Sequence, residues 1–368
     1  MSNLVLYRKY RPKNFSEIVG QEHIVQTLAN AISSGMISHA YLFSGPRGTG
    51  KTTTARLLAK AVNCEDKKGH EPCNECSSCI EINGGKTMDL IEIDAASHRG
   101  IDEIRELRDG IRFAPTKLKY KVFIVDESHQ LTKEAANALL KTLEEPPAHA
   151  IFILATTEIH KMISTIISRC QRFDFRKLNL AEIMGRLETI AKAEGVKVEK
   201  AALELVALNS GGAIRDAESL FDQVLTFSGT LGRKGEIKAE DIKDLLGLVE
   251  IESIGKFVDF ICEKKTSEAI SFLGEIIDKG LDLQEFSKSL INYLRQALIL
   301  KITGVGEKNS IITGLTKEEF QKLKNQTEKF SEQELRKALK LFLEAENRMK
   351  YSSIPQLPLE LAVVEAIE

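Results

Sequence analysis

Gly45-Pro46-Arg47-Gly48-Thr49-Gly50-Lys51-Thr52 fills every position of the pattern G-x-x-x-x-G-K-[ST], and the apolar run Ala40-Tyr41-Leu42-Phe43 ahead of it reads as a buried strand. The residues behind it, Thr53-Thr54-Ala55-Arg56-Leu57-Leu58-Ala59-Lys60, carry the period of a helix. Strand, glycine loop and helix in that order predict a phosphate-binding loop. Glycines let consecutive backbone N–H groups turn inward on an anion. The Lys51 ammonium then meets the β and γ oxygens, the Thr52 hydroxyl supplies a Mg²⁺ ligand, and the helix turns its positive dipole end toward the charge. Residues 45–53 are the expected grip on a nucleoside triphosphate.

Outward from this loop, residues 1–178 alternate short apolar runs with helical patterns. Strands are expected at Ala40 to Phe43, Asp89 to Ile93, Lys121 to Val125 and Ile151 to Ala155, with a fifth at Gln171 to Phe175. Helices are expected near Gln21 to Ser33, Thr52 to Val62, Ile101 to Ile111 and Lys133 to Leu143. That alternation predicts an α/β domain with a parallel sheet wrapped by helices. Everything after about residue 179 reads as helices, including Leu180 to Ala193, Lys200 to Leu208, Ile214 to Leu225, Asp282 to Ile302 and Ser331 to Lys350. Three domains are expected: 1–178, an all-α domain over 179–246 and a second all-α domain over 247–368.

A second nucleotide signature stands 75 residues beyond Lys51, in Val122-Phe123-Ile124-Val125-Asp126-Glu127-Ser128-His129. An apolar strand ending in two carboxylates places Asp126 to hold the Mg²⁺ shell and Glu127 to polarise an attacking water. With the loop, the pair predicts hydrolysis rather than binding alone, on a strand beside the loop.

Composition bounds the remaining classes. The chain has 368 residues, 43% hydrophobic and 28% charged, which suits a soluble globular protein of two or three domains. It has no long apolar run and no signal-peptide pattern at its start, so a cytoplasmic protein with no membrane partner is expected. A net charge of −2 excludes a strong global attraction to nucleic acid, leaving local patches or repeated subunits to supply any such binding. The first 60 residues carry eight Lys or Arg against Glu17 and Glu22 alone, a local surplus that suits a polyphosphate.

Four of the six cysteines, Cys64, Cys73, Cys76 and Cys79, follow C-x8-C-x2-C-x2-C between the loop's helix and the second strand. Thiolates at this spacing can surround one tetrahedral Zn²⁺, with the short turns letting backbone N–H groups support the sulfurs. A redox dithiol or disulfide and inert thiols are the competing readings, and a cytosolic chain weighs against stable disulfides. His70 stands among the cysteines and could replace one, but four thiolates make it unnecessary.

The opening Tyr7-Arg8-Lys9-Tyr10-Arg11-Pro12-Lys13-Asn14-Phe15, the turn Val19-Gly20-Gln21, the loop, the Asp126-Glu127-Ser128-His129 box and the triplet Ser168-Arg169-Cys170 together resemble the AAA+ clamp-loader ATPases. More narrowly the chain resembles the bacterial DNA polymerase III gamma/tau family, a match strengthened by Asp94-Ala95-Ala96-Ser97 and by Leu139-Leu140-Lys141-Thr142-Leu143-Glu144-Glu145-Pro146-Pro147. The resemblance covers residues 1 to 225; beyond them only the helical character is similar to the family's collar.

That resemblance implies an ATPase working with ATP and Mg²⁺, a lid at 179–246 and an oligomerisation collar at 247–368. It implies that Tyr7, Arg8, Pro12 and Val19 form a base-binding strap. Thr157 matches the first sensor, Arg215 the second sensor on the lid, and Arg169 an arginine finger acting in trans on a neighbouring subunit's site. The family carries a structural zinc module like the Cys64, Cys73, Cys76 and Cys79 set. It implies partners as well: further gamma/tau copies with delta-like and delta-prime-like subunits in a ring, the sliding clamp, and primer-template DNA met through Arg99 and Arg105 at a helix start. On this reading the chain is a motor subunit of a DNA polymerase III complex that opens the clamp and loads it on DNA. Two other classes stay in view. A non-hydrolysing delta-prime-like stator would lack use for the complete Lys51, Asp126 and Glu127 set, and a DExH-type helicase would need a second α/β domain where this chain turns helical.

Overall fold

The computed structural model describes residues 4–367 apart from 86, 98–109, 112, 228, 230–235, 247–250, 279 and 305–316. The expected DNA contacts Arg99 and Arg105, and most of the helix expected at Ile101 to Ile111, lie outside the described residues. The chain divides into two compact units, Met1–Asp241 and Ile242–Glu368.

The first unit is built on five parallel strands: β1 (Ala40–Ser44), β2 (Leu90–Asp94), β3 (Lys121–Asp126), β4 (Ala150–Thr156) and β5 (Gln171–Asp174). Their order across the sheet is β2-β3-β4-β1-β5. β1 and β4 are buried at every residue, which is why they read as continuous apolar runs; both faces of a parallel sheet are covered. The first four strands end one residue past their expected ends, and β5 ends one residue short, at Asp174. β4 lies between β1 and β3 and pairs with both, and the end of β3 still reaches the loop, where Asp126 meets Thr52.

Alternation along the strands splits two cores. Tyr41, Phe43, Val122 and Ile153 face Ile24 and Leu28 of a helix at Glu22–Ser34 and Leu58 of the helix Lys51–Asn63. Leu42, Phe123, Phe152 and Leu154 face Leu139 and Leu143 of the helix Lys133–Glu144. Phe123 and Phe152 stack at 5.2 Å and 13° on that side. The register sets Asp94 against Asp126 and Ser44 against Thr156, so the polar strand ends share the carboxyl edge, where open α/β sheets bind their ligands.

Three helices follow in the same unit, Leu180–Glu194, Lys200–Asn209 and Ile214–Phe227. The first is opened by a capping box between Asn179 and Glu182 and closed by Gly195 in the left-handed region. This part is not purely helical as expected. Lys197–Val198 and Glu236–Ile237 form a two-stranded parallel pair, too short to leave a periodic trace in the sequence. A helix at Ser77–Gly84 was likewise not expected; Cys76 Sγ caps it by accepting the Cys79 N–H.

The second unit is helical among its described residues, with Phe257, Phe286 and Phe342 fully buried at its centre. In this core Gln326 accepts from Tyr293 Oη at 2.6 Å and donates to Gly255 O at 2.7 Å. Among the described residues no helix is long and apolar enough to cross a membrane.

Candidate functional site

The loop between β1 and the helix Lys51–Asn63 is shaped by its glycines. Gly45 sits at φ +146, where an added Cβ would lie 2.3 Å from Phe175 O, and Gly48 at φ +76, where one would lie 2.8 Å from Ala213 Cβ. No other residue fits either place. Gly50, at φ +101, turns the chain into the helix as its N-cap. Lys51 is folded back onto the loop, donating to Gly45 O and Pro46 O at 2.8 Å each. Burial lowers its pKa, opposed by the nearby Glu127 and Asp126. A buried ammonium hydrogen-bonded to carbonyls, in a loop opened by glycines at 45, 48 and 50, suits a polyphosphate.

Across the crevice, Thr52 Oγ1 donates to Asp126 Oδ2 at 2.7 Å. A hydroxyl and a carboxylate meeting there are hard oxygen donors of the kind Mg²⁺ takes. Glu127 leaves the strand at φ 47, a left-handed conformation unusual for glutamate. Thr157 Oγ1, just past β4, donates to Glu127 Oε2 at 2.8 Å. His129 Nδ1 lies 3.6 Å from the same oxygen and 3.0 Å from Thr156 Oγ1. The interposed β4 therefore brings Thr157 onto Glu127 and Thr156 onto His129.

The helices after residue 179 complete the pocket. The backbone N–H of Ile214 donates to Gly48 O at 3.1 Å, tying the first turn of the helix Ile214–Phe227 to the loop. Arg215 lies over the Tyr7 ring, its Cζ 4.8 Å from the centroid. Its neighbour Arg8 also approaches that ring, at 5.8 Å, and hydrogen bonds from Arg8 and then Arg215 hold the Tyr7 phenol below its usual pKa. Tyr7, Pro12, Val19, the loop from Arg47 to Thr53, Asp126, Glu127 and Arg215 all line this one pocket. Arg8 lines instead an adjoining cavity with Lys9, Lys13 and Arg56, which shares Tyr7, Arg11, Pro12 and Arg215 with the loop's pocket.

Arg169 is not part of that pocket. Its guanidinium donates to Glu144 Oε1 at 2.6 Å and to Thr165 O at 2.8 Å, on a partly exposed surface. Several pocket residues were not singled out in the sequence: Arg11, Glu17, Ile18, Arg186, Ile214 and Glu218. Arg186 and Glu218 form a buried ion pair at 2.9 Å, and burial raises the Glu218 pKa against the opposing pull of Arg186. The signal for them was a charge on the apolar stripe of a helix: Arg186 between Ile183 and Leu187, Glu218 between Ala217 and Phe221.

Cys64, Cys73, Cys76 and Cys79 offer four sulfurs all within 4.8 Å of one another. A tetrahedral zinc site with Zn–S of about 2.3 Å needs sulfurs about 3.8 Å apart, and Cys73 and Cys79 already stand at 3.9 Å. Backbone N–H groups of Cys76 and Glu75 donate to Cys73 Sγ at 3.3 and 3.4 Å and hold its pKa down to about 6. Burial pushes the Cys64 and Cys79 thiols up. The cluster is compatible with zinc, and His70, whose ring lies 6.2 Å from that of Phe15, is not in the four-residue group.

Three family models match: DNA polymerase III, delta subunit, over residues 20–179; DNA polymerase III clamp loader subunit, ATPase lid domain, over 182–230; and DNA polymerase III subunits gamma and tau domain III, over 237–368. DNA polymerase III subunit tau of Bacillus subtilis (strain 168) is 46% identical over 369 residues, covering 99% of this chain and 63% of that protein. DNA polymerase III subunit gamma of Buchnera aphidicola subsp. Schizaphis graminum (strain Sg) is 35% identical over 367 residues, covering 100% of this chain and 99% of that protein. The chain thus spans less than two thirds of the Bacillus tau subunit and nearly all of the Buchnera gamma subunit. Among solved structures, the Thermotoga maritima RuvB Holliday junction branch migration motor aligns with 85% of this chain and 98% of its own, at 20% identity and a TM-score of 0.48. The chain belongs to the DNA polymerase III gamma/tau family.

Proposed function

We propose that this chain is an ATP-hydrolysing motor subunit of the bacterial replicative clamp loader. It works in the cytoplasm, in a ring with further gamma/tau copies and delta-like and delta-prime-like subunits of a DNA polymerase III complex. The ring opens the sliding clamp and places it on primer-template DNA. One observation carries the reading: the loop, the Asp126-Glu127 carboxylates and the helix bearing Arg215 meet in one crevice, joined by the Thr52–Asp126 and Ile214–Gly48 hydrogen bonds. A stator has no use for that complete set.

In this reading the domains are 1–178, 179–246 and 247–368, with the last as collar. Thr52 and Asp126 would hold Mg²⁺, which supplies charge neutralisation at the phosphates when bound. Lys51 leaves the Gly45 and Pro46 carbonyls to meet the phosphate oxygens. Glu127, once released by Thr157, orients and polarises the lytic water. Arg215 reads the nucleotide from the lid, so a change there is transmitted through the Ile214–Gly48 bond to the angle of the lid. Tyr7, Pro12 and Val19 form the base side, with Arg8 at its margin. Arg169 serves the site of the neighbouring subunit, and Arg99 and Arg105 meet DNA phosphates without reading sequence. The four cysteines hold a structural Zn²⁺.

The test is ATP turnover by the assembled complex with and without clamp and primed DNA. Stimulation by both supports the proposal. Unwinding of duplex DNA would point to a helicase, and absence of turnover with all partners present would leave only the stator reading.

A further inference from the structure

The cysteine loop grips the strand of chain that forms one wall of the nucleotide pocket. The short turn Phe15–Glu17 begins at Asn14, whose side chain makes no capping bond to it. Its free N–H groups are taken by a residue 55 or more positions away: Glu71 Oε2 accepts from Phe15 N at 2.7 Å and Glu71 Oε1 from Ser16 N at 2.8 Å. Asn74, held at φ 62 between Cys73 and Cys76, donates to Asn14 Oδ1 at 2.7 Å. Lys60, 2% exposed on the helix that Lys51 begins, donates to Lys13 O at 2.8 Å, to Asn74 Oδ1 at 2.5 Å and to Asn83 Oδ1 at 3.1 Å.

Asn14, Phe15 and Ser16 are thus held by the cysteine loop, and Lys13 by Lys60 of the phosphate-loop helix, which itself donates to Asn74. Their flanks, Arg11 and Pro12 before and Glu17, Ile18 and Val19 after, line the nucleotide pocket. The loop is anchored in turn: Cys64 directly follows Asn63, the last residue of the phosphate-loop helix. Between Cys64 and Cys73 only a single two-residue bridge, Lys68 with Glu71, pairs backbone with backbone. A metal joining the four sulfurs would fix the segment that carries Glu71 and Asn74.

We infer that Glu71 and Asn74 are positioning residues for nucleotide binding, through which the metal-held cysteine loop sets the wall formed by Pro12, Ile18 and Val19. The inference rests on the reading of this pocket as the nucleotide site. A carboxylate accepting two backbone N–H groups is a charge-assisted contact, and its loss frees the wall without touching the phosphate loop. The effect falls on affinity, not on the chemical step.

The test uses the full chain in its assembled complex, with three readouts: equilibrium binding of a fluorescent ATP analogue, bound zinc, and the separation of kcat from KM. Glu71→Ala is expected to raise Kd and KM about five- to thirty-fold with kcat and zinc content unchanged. Glu71→Asp restores part of the loss. Chelation of wild-type zinc gives a rise of the same size, and chelation adds nothing to Glu71→Ala. Asn74→Gly, which suits the left-handed backbone, serves as the second variant and shows the same split. Unchanged affinity in folded, zinc-loaded Glu71→Ala and Asn74→Gly chains overturns the inference, as does chelation that alters kcat alone or a chain that takes up no zinc. If instead Lys51→Ala binds the analogue as tightly as wild type, it is the nucleotide reading of the pocket that falls.

Discussion

Thr52 Oγ1 and Asp126 Oδ2 stand 2.7 Å apart although they lie 74 positions apart in sequence. The helix start after β1 and the end of β3 are thereby locked across the crevice, with two oxygen donors already side by side. Asp126→Asn keeps the shape and the Thr52 contact but removes the charge that balances a divalent cation. Turnover of the complex is expected to fall at least about a hundred-fold, with nucleotide still bound and the Mg²⁺ requirement shifted upward. Steady-state ATPase measured across a Mg²⁺ titration checks this; an unchanged Mg²⁺ dependence would remove Asp126 from the metal shell.

Lys51 is buried and its ammonium is satisfied by two loop carbonyls alone, so it is poised to exchange weak dipole contacts for phosphate charge. Lys51→Ala is expected to weaken ATP binding about a hundred-fold or more, as loss of a charge-assisted contact in a desolvated site implies. The fold should persist, because the side chain bridges no other element. Calorimetric titration with ATP, beside a thermal melt, separates the two effects.

Arg169 pairs with Glu144 on its own chain and stays out of the pocket, as an arginine acting on another subunit must. The Glu144 contact is partly exposed and contributes little to stability. Arg169→Ala is therefore expected to leave folding and nucleotide affinity intact while lowering turnover in the assembled ring about a thousand-fold or more, the range seen for arginine fingers. The comparison of isolated chain with complex is decisive: an isolated chain that hydrolyses at full rate regardless of Arg169 would show the finger assignment to be wrong.

The sheet was legible because β1 and β4 are buried on both faces and so read as unbroken apolar runs. The loop and the Asp126-Glu127 pair were legible because each is contiguous in sequence. Residues that act through distant neighbours left no such trace. Glu71 serves a turn 55 residues upstream, Arg186 answers Glu218 across two helices, and Thr157 meets Glu127 only because β4 lies between β1 and β3. The pair Lys197–Val198 with Glu236–Ile237 is held by two residues a side, below the length at which alternation can show. Arg169, Thr157 and Arg215 were singled out through family resemblance, since a lone arginine or threonine carries no signal of its own.

Gly48 couples the loop to the lid through geometry rather than chemistry. Its carbonyl accepts from Ile214, and a Cβ on it would meet Ala213 Cβ at 2.8 Å. Gly48→Ala adds that clash to a positive φ, at a cost of about 1–3 kcal/mol. The strain is relieved by separating the helix Ile214–Phe227 from the loop, so nucleotide affinity should fall and hydrogen exchange at Ile214 and Arg215 should rise. Ala213→Gly in the same chain removes the clashing atom and is expected to recover part of both; no recovery would mean that backbone strain alone is responsible.

Asp89 closes the far side of the same sheet. Its side chain is 1% exposed, and burial by itself would raise its pKa, but N–H groups of Leu118, Thr116 and Lys117 more than offset this and hold it below the ordinary aspartate value. Bonds of 2.9 Å from Thr116 N and Lys117 N and 3.0 Å from Leu118 N tie the turn before β3 to the start of β2. A depressed carboxylate pKa stabilises the folded state fully above the unfolded value of about 3.9, and this contribution is lost as pH falls through the lower folded value. Asp89→Asn keeps the size but loses the charge and one acceptor oxygen, at an expected cost of about 1–3 kcal/mol at neutral pH. Because the chain has two compact units, the readout should be local: hydrogen exchange at Val122, whose N–H donates to Asp89 O at 2.8 Å. Protection there is expected to drop for Asp89→Asn at pH 7, and the gap to wild type should narrow as pH falls below about 4. A gap independent of pH would show that shape, not charge, holds this turn.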